Sequence, residues 1–590
     1  MKKIAVFAAL LCALASLAFS KPLPPKQERR GNQTLLEPGH WLYDALQILE
    51  QERAIVQFSD QAPINLDQVR AMLFEIDYDK LSEAGKIQYD RIIGFFNESR
   101  FSVNASIFQA RIEPSINLEG YVKTNENVMW FYDAYKKKRF IDLPVTVGVG
   151  DWATFYADIF LGINKTTRQS DSTNINVPYS ESTLAVNFPY GAYGSIGYAF
   201  TDTVGFNFRV SNMAQSFGRA DTGSVLQSDV ISESTNAALT VYSPIAQYTC
   251  GLTQWNTRRY VYSHKLDARI AKKFQISLME AALPYGNIDL RFFNPMMFLH
   301  SYTSWLDYQA DGSDVGSFFG AKISGAPCKY LRVFALWSMT QFQLPVELDD
   351  DDTNKDNYVP NAMGFQAGLE SYIPIKKGHL HLNLEGCYAQ PYLFINSSPN
   401  WSFVKTSAES NSGSSEFYEW LGTRYGPDTL AASFKAEYEV PEKWSAGFKY
   451  LFLARGEFSE TGIFKNVGWG PRILDMSDTA LKDWVYPWTV LSDKSVYFNP
   501  KYRDGRNFVA PTGIPEYVNV LCFYGSYNVT RWFKVMAQPA LAIVANAGHI
   551  QGNTEVSFEC VLGAQFKFTK LKKDKKILEE KDVVEATESE

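Results

Sequence analysis

From residue 554 onward the chain alternates with a period of two. Val556, Phe558, Cys560, Leu562, Ala564, Phe566 and Phe568 fall on one side, and Glu555, Ser557, Glu559, Gln565, Lys567 and Thr569 on the other. Successive side chains of a β-strand point to opposite faces, so a run of this length demands a sheet with one apolar and one wet face. The pattern recurs in Leu380, Leu382 and Leu384 against His379, His381, Asn383 and Glu385. It recurs again in Leu430, Ala432, Phe434, Ala436 and Tyr438 against Ser433, Lys435, Glu437 and Glu439, and in Trp444, Ala446, Phe448, Tyr450 and Phe452 against Lys443, Ser445 and Lys449. Strands of this length suffice to cross an outer membrane.

A soluble sandwich also alternates, and the connections separate the two cases. Tight turns at 271–273, 326–329, 374–378, 440–443 and 528–531 alternate with long polar stretches near 286–313, 343–361, 394–428 and 459–516. Bacterial barrels have short periplasmic turns and long extracellular loops. Most of the tight turns end in a basic residue followed by an aromatic (Lys273-Phe274, Lys329-Tyr330, Lys443-Trp444, Arg531-Trp532), a pairing suited to an interfacial girdle. Residues 101–569 are therefore expected to form an all-β transmembrane antiparallel β-barrel of 16–18 strands, with 18 favoured. The count is even because both termini would lie in the periplasm. Outer-membrane lipid and the barrel-assembly machinery follow as partners, and the cell outer membrane of a Gram-negative-type bacterium as the location.

Composition agrees. The 590 residues carry 57 Lys+Arg against 64 Asp+Glu, a net charge of −7, which disfavours a nucleic-acid partner. A mean hydropathy of −0.21, with no apolar run near membrane length after the first 20 positions, excludes a polytopic helical membrane protein. Residues 1–20 read as a signal peptide, with Lys2 and Lys3 before an apolar run from Ile4 to Leu17 and Ala18-Phe19-Ser20 at the cleavage site. Beyond it remain Cys250, Cys328, Cys387, Cys522 and Cys560, an odd number without a CxxC, so neither a disulfide framework nor a zinc site is encoded.

After a linker (21–38), residues 39–100 switch to a helical period. Trp41, Leu42, Ala45, Leu46 and Leu49 make one stripe. Leu66, Val69, Leu73 and Ile76 make a second, and Ile87, Tyr89, Ile92 and Phe96 a third. Three short amphipathic helices predict a small periplasmic α-helical head or plug, able to close the barrel's periplasmic mouth. The charge-dense tail, 570–590, reads as a solvated periplasmic extension.

Enzymatic motifs are scarce: the histidines at 40, 264, 300, 379, 381 and 549 build no HExxH and no nucleophile elbow, so no enzyme and no cofactor is expected. His379 and His381 share the wet face of one strand, without further ligands in register. The acidic segment 347–356 lacks EF-hand spacing and reads as a solvated loop. The longest loop, 459–516, interleaves Trp469, Trp484, Tyr486 and Trp488 with Arg472 and several aspartates. Flat aromatic faces beside charged hydrogen-bonding groups suit sugar rings, making Trp469, Arg472, Trp484, Tyr486 and Trp488 the candidate glycan contacts. A loop folded over the barrel mouth around its own aromatic core is the other reading.

The stretch Gln215 to Asp229, with Gly218, Gly223 and Ser224-Val225-Leu226-Gln227-Ser228, is followed by Ser263-His264-Lys265-Leu266, by Glu280 to Gly286 and by Asn294-Pro295. Together with the opening Gly39-His40-Trp41-Leu42-Tyr43-Asp44-Ala45-Leu46, this resembles the capsule-assembly Wzi family of outer-membrane β-barrel proteins, in which a glycine-bearing turn runs into a strand. The resemblance covers the head and the first half of the barrel. It implies 18 antiparallel strands, a helical bundle at the periplasmic end, and a surface lectin that attaches capsular polysaccharide. The residues themselves offer a structural role for Gly218 and Gly223, a tight re-entry where backbone passes close to backbone. The functional expectation is a non-enzymatic barrel that binds or anchors surface, capsule-like polysaccharide. The alternative is a channel or transporter for small solutes, with the head as gate and Lys435, Glu437, Lys449, Glu559 and Lys567 lining the lumen.

Overall fold

The structure, a computed structural model, describes residues 31–568 apart from 98–100, 106, 126–127, 129–139, 162–185, 188–191, 232–233, 296–297, 300–314, 343–360, 409–415, 459–477, 479–481, 483–485, 487, 492, 494 and 500–508. Eighteen antiparallel strands close into one barrel. Strand β1 runs in two collinear pieces, Phe108–Ile112 and Ser115–Lys123, both paired with β2 (Ile141–Val149). Likewise β4 (Val186–Asn187 and Tyr193–Ala199) pairs in two pieces with β3 (Ala153–Leu161). The remaining strands are β5 (Gly205–Ser211), β6 (Asn236–Tyr242), β7 (Ala246–Asn256), β8 (Arg259–Ile270), β9 (Phe274–Pro284), β10 (Val315–Cys328) and β11 (Leu331–Gln341). They continue with β12 (Ala362–Ile375), β13 (Gly378–Ala389), β14 (Thr429–Val440), β15 (Trp444–Arg455), β16 (Glu516–Asn528), β17 (Phe533–Ala545) and β18 (Thr554–Lys567). Closure is direct: β18 pairs with β1, and Gln565 Nε2 donates to Asn117 Oδ1 at 2.8 Å across the seam.

Each tight turn expected from the sequence joins two strands at the same rim, and Phe274, Trp444 and Trp532 stand exposed there. The side-chain register also holds. Leu562 is 57% exposed on the outer wall, whereas Ser557 and Glu559 point inward and are fully buried. Their burial corrects one expectation: the inward face is packed against protein, where an open barrel of this size would hold water.

The packing comes first from the head. Helix α1 (Trp41–Arg53) is capped by His40, whose Nδ1 accepts from Leu42 N, and ends at Ala54 in the left-handed conformation. Helix α2 (Leu66–Leu73) opens with a capping box between Asn65 and Gln68. Helix α3 (Glu83–Asn97) completes the set, and Leu42, Leu46, Leu49, Val69, Leu73, Ile92 and Phe96 form their common core. Trp41 sits at its edge, under the Arg91 guanidinium at 4.0 Å and against Phe95 at 5.7 Å. Helix α2 stops short of Ile76 as Glu75 turns to the wall, where Arg269 Nη1 and Nη2 each donate to it at 2.8 Å. Part of the expected linker belongs to the head as well: Leu35–Leu36 pairs with Ile64–Asn65, and the buried Gln33 bonds Asp67 at 2.9 Å.

Candidate functional site

The head is fastened inside the short-turn end of the barrel by buried polar pairs around the wall. Lys322 Nζ of β10 meets Asp60 Oδ2 at 2.5 Å, and Arg332 of β11 reaches the same oxygen at 3.4 Å. Ser59 Oγ and Gln61 Nε2 donate to Asp267 of β8 at 2.6 and 3.0 Å. The two histidines of β13 serve this interface: His379 bonds Glu52 at 2.9 Å, and His381 bonds Glu370 of β12 at 3.1 Å while stacking on Tyr372. Gln47 of α1 donates to the same Glu370. A cavity of about 20 Å³ remains between head and wall, lined among others by Glu50, Gln57, Asp60 and Arg332, room for one water. Burial pushes the Glu50 carboxyl well above the usual carboxylate range, with Arg269 only partly opposing it. At Asp60 burial acts in the same direction, but Lys322 and Arg332 outweigh it and hold the carboxyl below its ordinary value.

Above the head, the connection between β5 and β6 turns into the lumen. Ala62 of the head and Ser216 exchange two backbone hydrogen bonds, and Phe217 N donates to Gln227 O at 2.9 Å, closing a re-entrant loop. Arg219 reaches down to Asp44 and to Gln47 of α1. Asp221 accepts from Lys449 Nζ of β15 at 2.7 Å and from Ser433 Oγ of β14 at 3.1 Å. Its backbone N–H, with that of Thr222, donates to Glu385 of β13 at 2.9 and 2.5 Å. Gly223 behaves as the sequence suggested, whereas Gly218, at φ +79°, is crowded by the side chains of Leu336 and Ser224. Gly223 has φ +83°, and a Cβ there would lie 2.8 Å from the backbone N of Arg424. The Ser-Val-Leu-Gln-Ser segment, however, is no strand. Its backbone turns through isolated pairings because its partners are loop carbonyls and wall side chains.

The connection between β13 and β14 descends to meet it. Thr423 N donates to Ser224 O at 2.8 Å, Arg424 N to Thr222 O at 3.0 Å, and Ser228 N to Leu421 O at 2.9 Å. Between the two loops Phe217, Val225, Leu226, Phe394, Trp420 and Leu421 form an apolar core inside the barrel. Arg259, fully buried on β8, donates to the carbonyls of Asn400, Ser402 and Val404 at 3.1, 2.5 and 2.7 Å and so fastens the descending loop. Sequence reading missed it, because an Arg at a strand end carries no mark of its partner.

The charges suspected of lining a lumen are largely matched. Lys435 and Glu437 pair at 2.7 Å, Lys449 is taken by Asp221, and Lys123 stands 3.5 Å from Glu559. Of the candidate glycan contacts, Trp469, Arg472 and Trp484 lie outside the described residues. Trp488 begins a short strand, Trp488–Val490, paired with Val496–Phe498. Tyr486 is buried, edge-on to Tyr392 at 5.6 Å in the lumenal core. The acidic segment 347–356, the signal peptide and the tail also lie outside the described residues. Among the described residues no group of three or more His, Cys, Asp or Glu is placed to hold a metal ion, and no helix is long and apolar enough to cross a membrane.

These features define a class: an outer-membrane-type β-barrel of 18 strands whose lumen is occupied by an N-terminal helical head and two inward-folded loops. The fold is similar to that of Wzi of Escherichia coli, described as an outer membrane protein involved in group 1 capsule assembly and a carbohydrate-binding β-barrel. The TM-score is 0.53 at 10% identity, over 90% of this chain and 98% of that one. OprD of Pseudomonas aeruginosa (TM-score 0.35, 8% identity, 78% of this chain and 96% of that one) also matches. So does the OmpT loop-deletion mutant of Vibrio cholerae (0.29, 8%, 78% and 100%). No protein-family model and no curated protein sequence matches the chain.

Proposed function

We propose that the chain is an outer-membrane barrel that binds or anchors surface, capsule-like polysaccharide at its long-loop rim, without catalysis, its helical head at the periplasmic rim. The observation that carries the reading is the occupied lumen: head, re-entrant loop and descending loop are hydrogen-bonded to one another from one rim to the other. That construction suits a rigid platform for external loops better than a conduit. Likeness in fold to a barrel described as carbohydrate-binding supports the same direction. In this reading Trp469, Trp484 and Trp488 with Arg472 form the contact surface of the 459–516 loop. Tyr486, buried in the lumenal core, is not part of that surface.

A sugar chain is well hydrated, so binding needs flat apolar faces together with charged partners. Replacing the three tryptophans by Ala should therefore abolish retention of surface polysaccharide while abundance and heat-modifiable folding stay as in the parent. Unchanged retention in that triple variant would remove the contact surface from this loop.

A further inference from the structure

The outer wall is apolar nearly everywhere, yet on β7, β8 and β9 it carries a polar row. Cys250, His264 and Glu280 are direct cross-strand partners. They point outward, since the neighbouring Lys265 and Asp267 point in and bond the re-entrant loop and the head. Counted from Phe274 at the short-turn rim, Glu280 lies six residues up β9. At about 3.3 Å per residue and a tilt near 40°, that is roughly 15 Å, well inside an apolar band about 25 Å tall.

The chain that follows β9 runs over Cys250 and His264 of this row. After Gly286 N bonds Arg258 O at the top of the β8–β9 pair, the backbone folds back down the outside of the barrel. Asp289 N donates to Tyr262 Oη at 2.7 Å, and the Phe292 carbonyl meets His264 Nε2 at 3.3 Å. Phe292 and Leu299 pack on Tyr262 and Ala282, leaving Tyr262 fully buried at an outward position. The far side of the segment is apolar: Ile288, Leu290 and Phe298 are 51%, 77% and 67% exposed, flanking an Arg291–Asp289 ion pair at 2.7 Å. The sequence had placed this stretch among the long polar loops projecting from the rim.

We propose that residues 286–295 with 298–299 form an interfacial flap whose Ile288, Leu290 and Phe298 enter the outer leaflet among lipid acyl chains while its inner side shields Cys250 and His264 of the polar row. The occupant of that apolar side is the bilayer, because the flap continues the outward apolar belt formed by Ile276, Leu278 and Ile323, all exposed on adjoining strands. Aromatic and aliphatic side chains beside a charged pair suit the boundary between headgroups and acyl chains. The inference rests on the membrane-spanning reading of the barrel.

The test places an environment-sensitive fluorophore on Leu290→Cys, on Phe298→Cys, and on Leu562→Cys in the outer belt, each in a Cys328→Ser background that removes an exposed native thiol. The full-length proteins are reconstituted in phosphatidylcholine vesicles containing doxyl-labelled acyl chains, with aqueous iodide as the opposing quencher. Loss of emission to doxyl lipid, with protection from iodide, at all three sites is the expected result. Quenching of 290 and 298 by iodide while 562 remains lipid-quenched overturns the flap and leaves the membrane reading standing. Protection of 290 and 298 from both quenchers also overturns it, since the cover would then be protein. Iodide quenching at 562 as well would bring down the membrane reading itself.

Discussion

Removing the Asp60 carboxylate should undock the head without unfolding the barrel. With the head in place, Lys322 is fully buried and its ammonium meets Asp60 at 2.5 Å, while Arg332 adds a second cation on the same carboxylate. Truncating one partner of a buried pair costs about 3–5 kcal/mol, since the remaining charge is left without compensation. Here the lower end applies, because Lys322 keeps Gln275 Oε1 at 2.9 Å and Arg332 keeps Glu370 at 3.3 Å. When the head leaves, both cations are hydrated, so about 3 kcal/mol falls on the docked state alone. The population of undocked head should then rise roughly 100-fold. Trypsin cleavage at Arg53, followed beside the heat-modifiable mobility of the barrel, reads that population when reclosing is fast relative to cleavage. Asp60→Ala should therefore raise head cleavage by about that factor, and Asp60→Leu combined with Lys322→Met should restore protection, because a packed apolar pair replaces a buried ion pair at little cost. An unchanged rate in Asp60→Ala would refute the argument. So would a barrel that fails to assemble, which would make the head part of the folding unit.

Acid should act on the same interface in a fixed order. Asp60 and Glu75 are held below their ordinary values, so their contribution is present above about pH 4, the value in the free chain, and is lost only as pH falls through the lower folded values; these two groups should add no pH dependence to head protection between pH 7 and about 5. Glu50, raised by burial, contributes below the free-chain value and loses that contribution as pH rises through its folded value, so Glu50→Gln should leave protection at pH 7 unchanged or improve it. On the outer wall, Leu562→Arg should cost about 2–4 kcal/mol of barrel stability in a lipid-bilayer folding titration. Glu559→Arg, which sets a second cation beside Lys123 in the packed interior, should not be benign either, and tolerance of Leu562→Arg would overturn the register. Gly223→Ala, forced to φ +83° against the Arg424 backbone, should cost at least about 1–2 kcal/mol and expose the descending loop near Arg424 to protease.

How much of this was legible depends on the range of the interaction. Strand register, the tight turns and the rim aromatics follow from a period of two and from turn chemistry, both local, and the structure has Leu562 out and Glu559 in as the alternation requires. The three helices follow from local stripes, and the re-entry was signalled by Gly218 and Gly223. The seal could not be read, because its pairs join distant residues: Glu52 and His379 are separated by 327 positions, and neither carries a mark of the other. Hence His379 and His381 stood on the wet face with no visible partner, and the inward face looked wet. The outer-wall flap left one trace, His264 at a position where the alternation calls for an apolar residue, which becomes interpretable once the Phe292 carbonyl is seen meeting it. Tyr486 had the composition of a binding loop and the burial of a core residue, a distinction that composition alone does not make.

Planar-bilayer conductance of the full-length protein tests whether the occupied lumen is closed to ions. Lys449 bound to Asp221, Thr222 to Glu385, and Lys322 to Asp60 tie the re-entrant loop and the head to the wall across the lumen. The inserted protein should be electrically silent, and ohmic steps should appear only after deletion of the re-entrant segment 215–229 together with the head. Stable ohmic steps from the intact chain would contradict the sealed-platform account and return the barrel to the transporters.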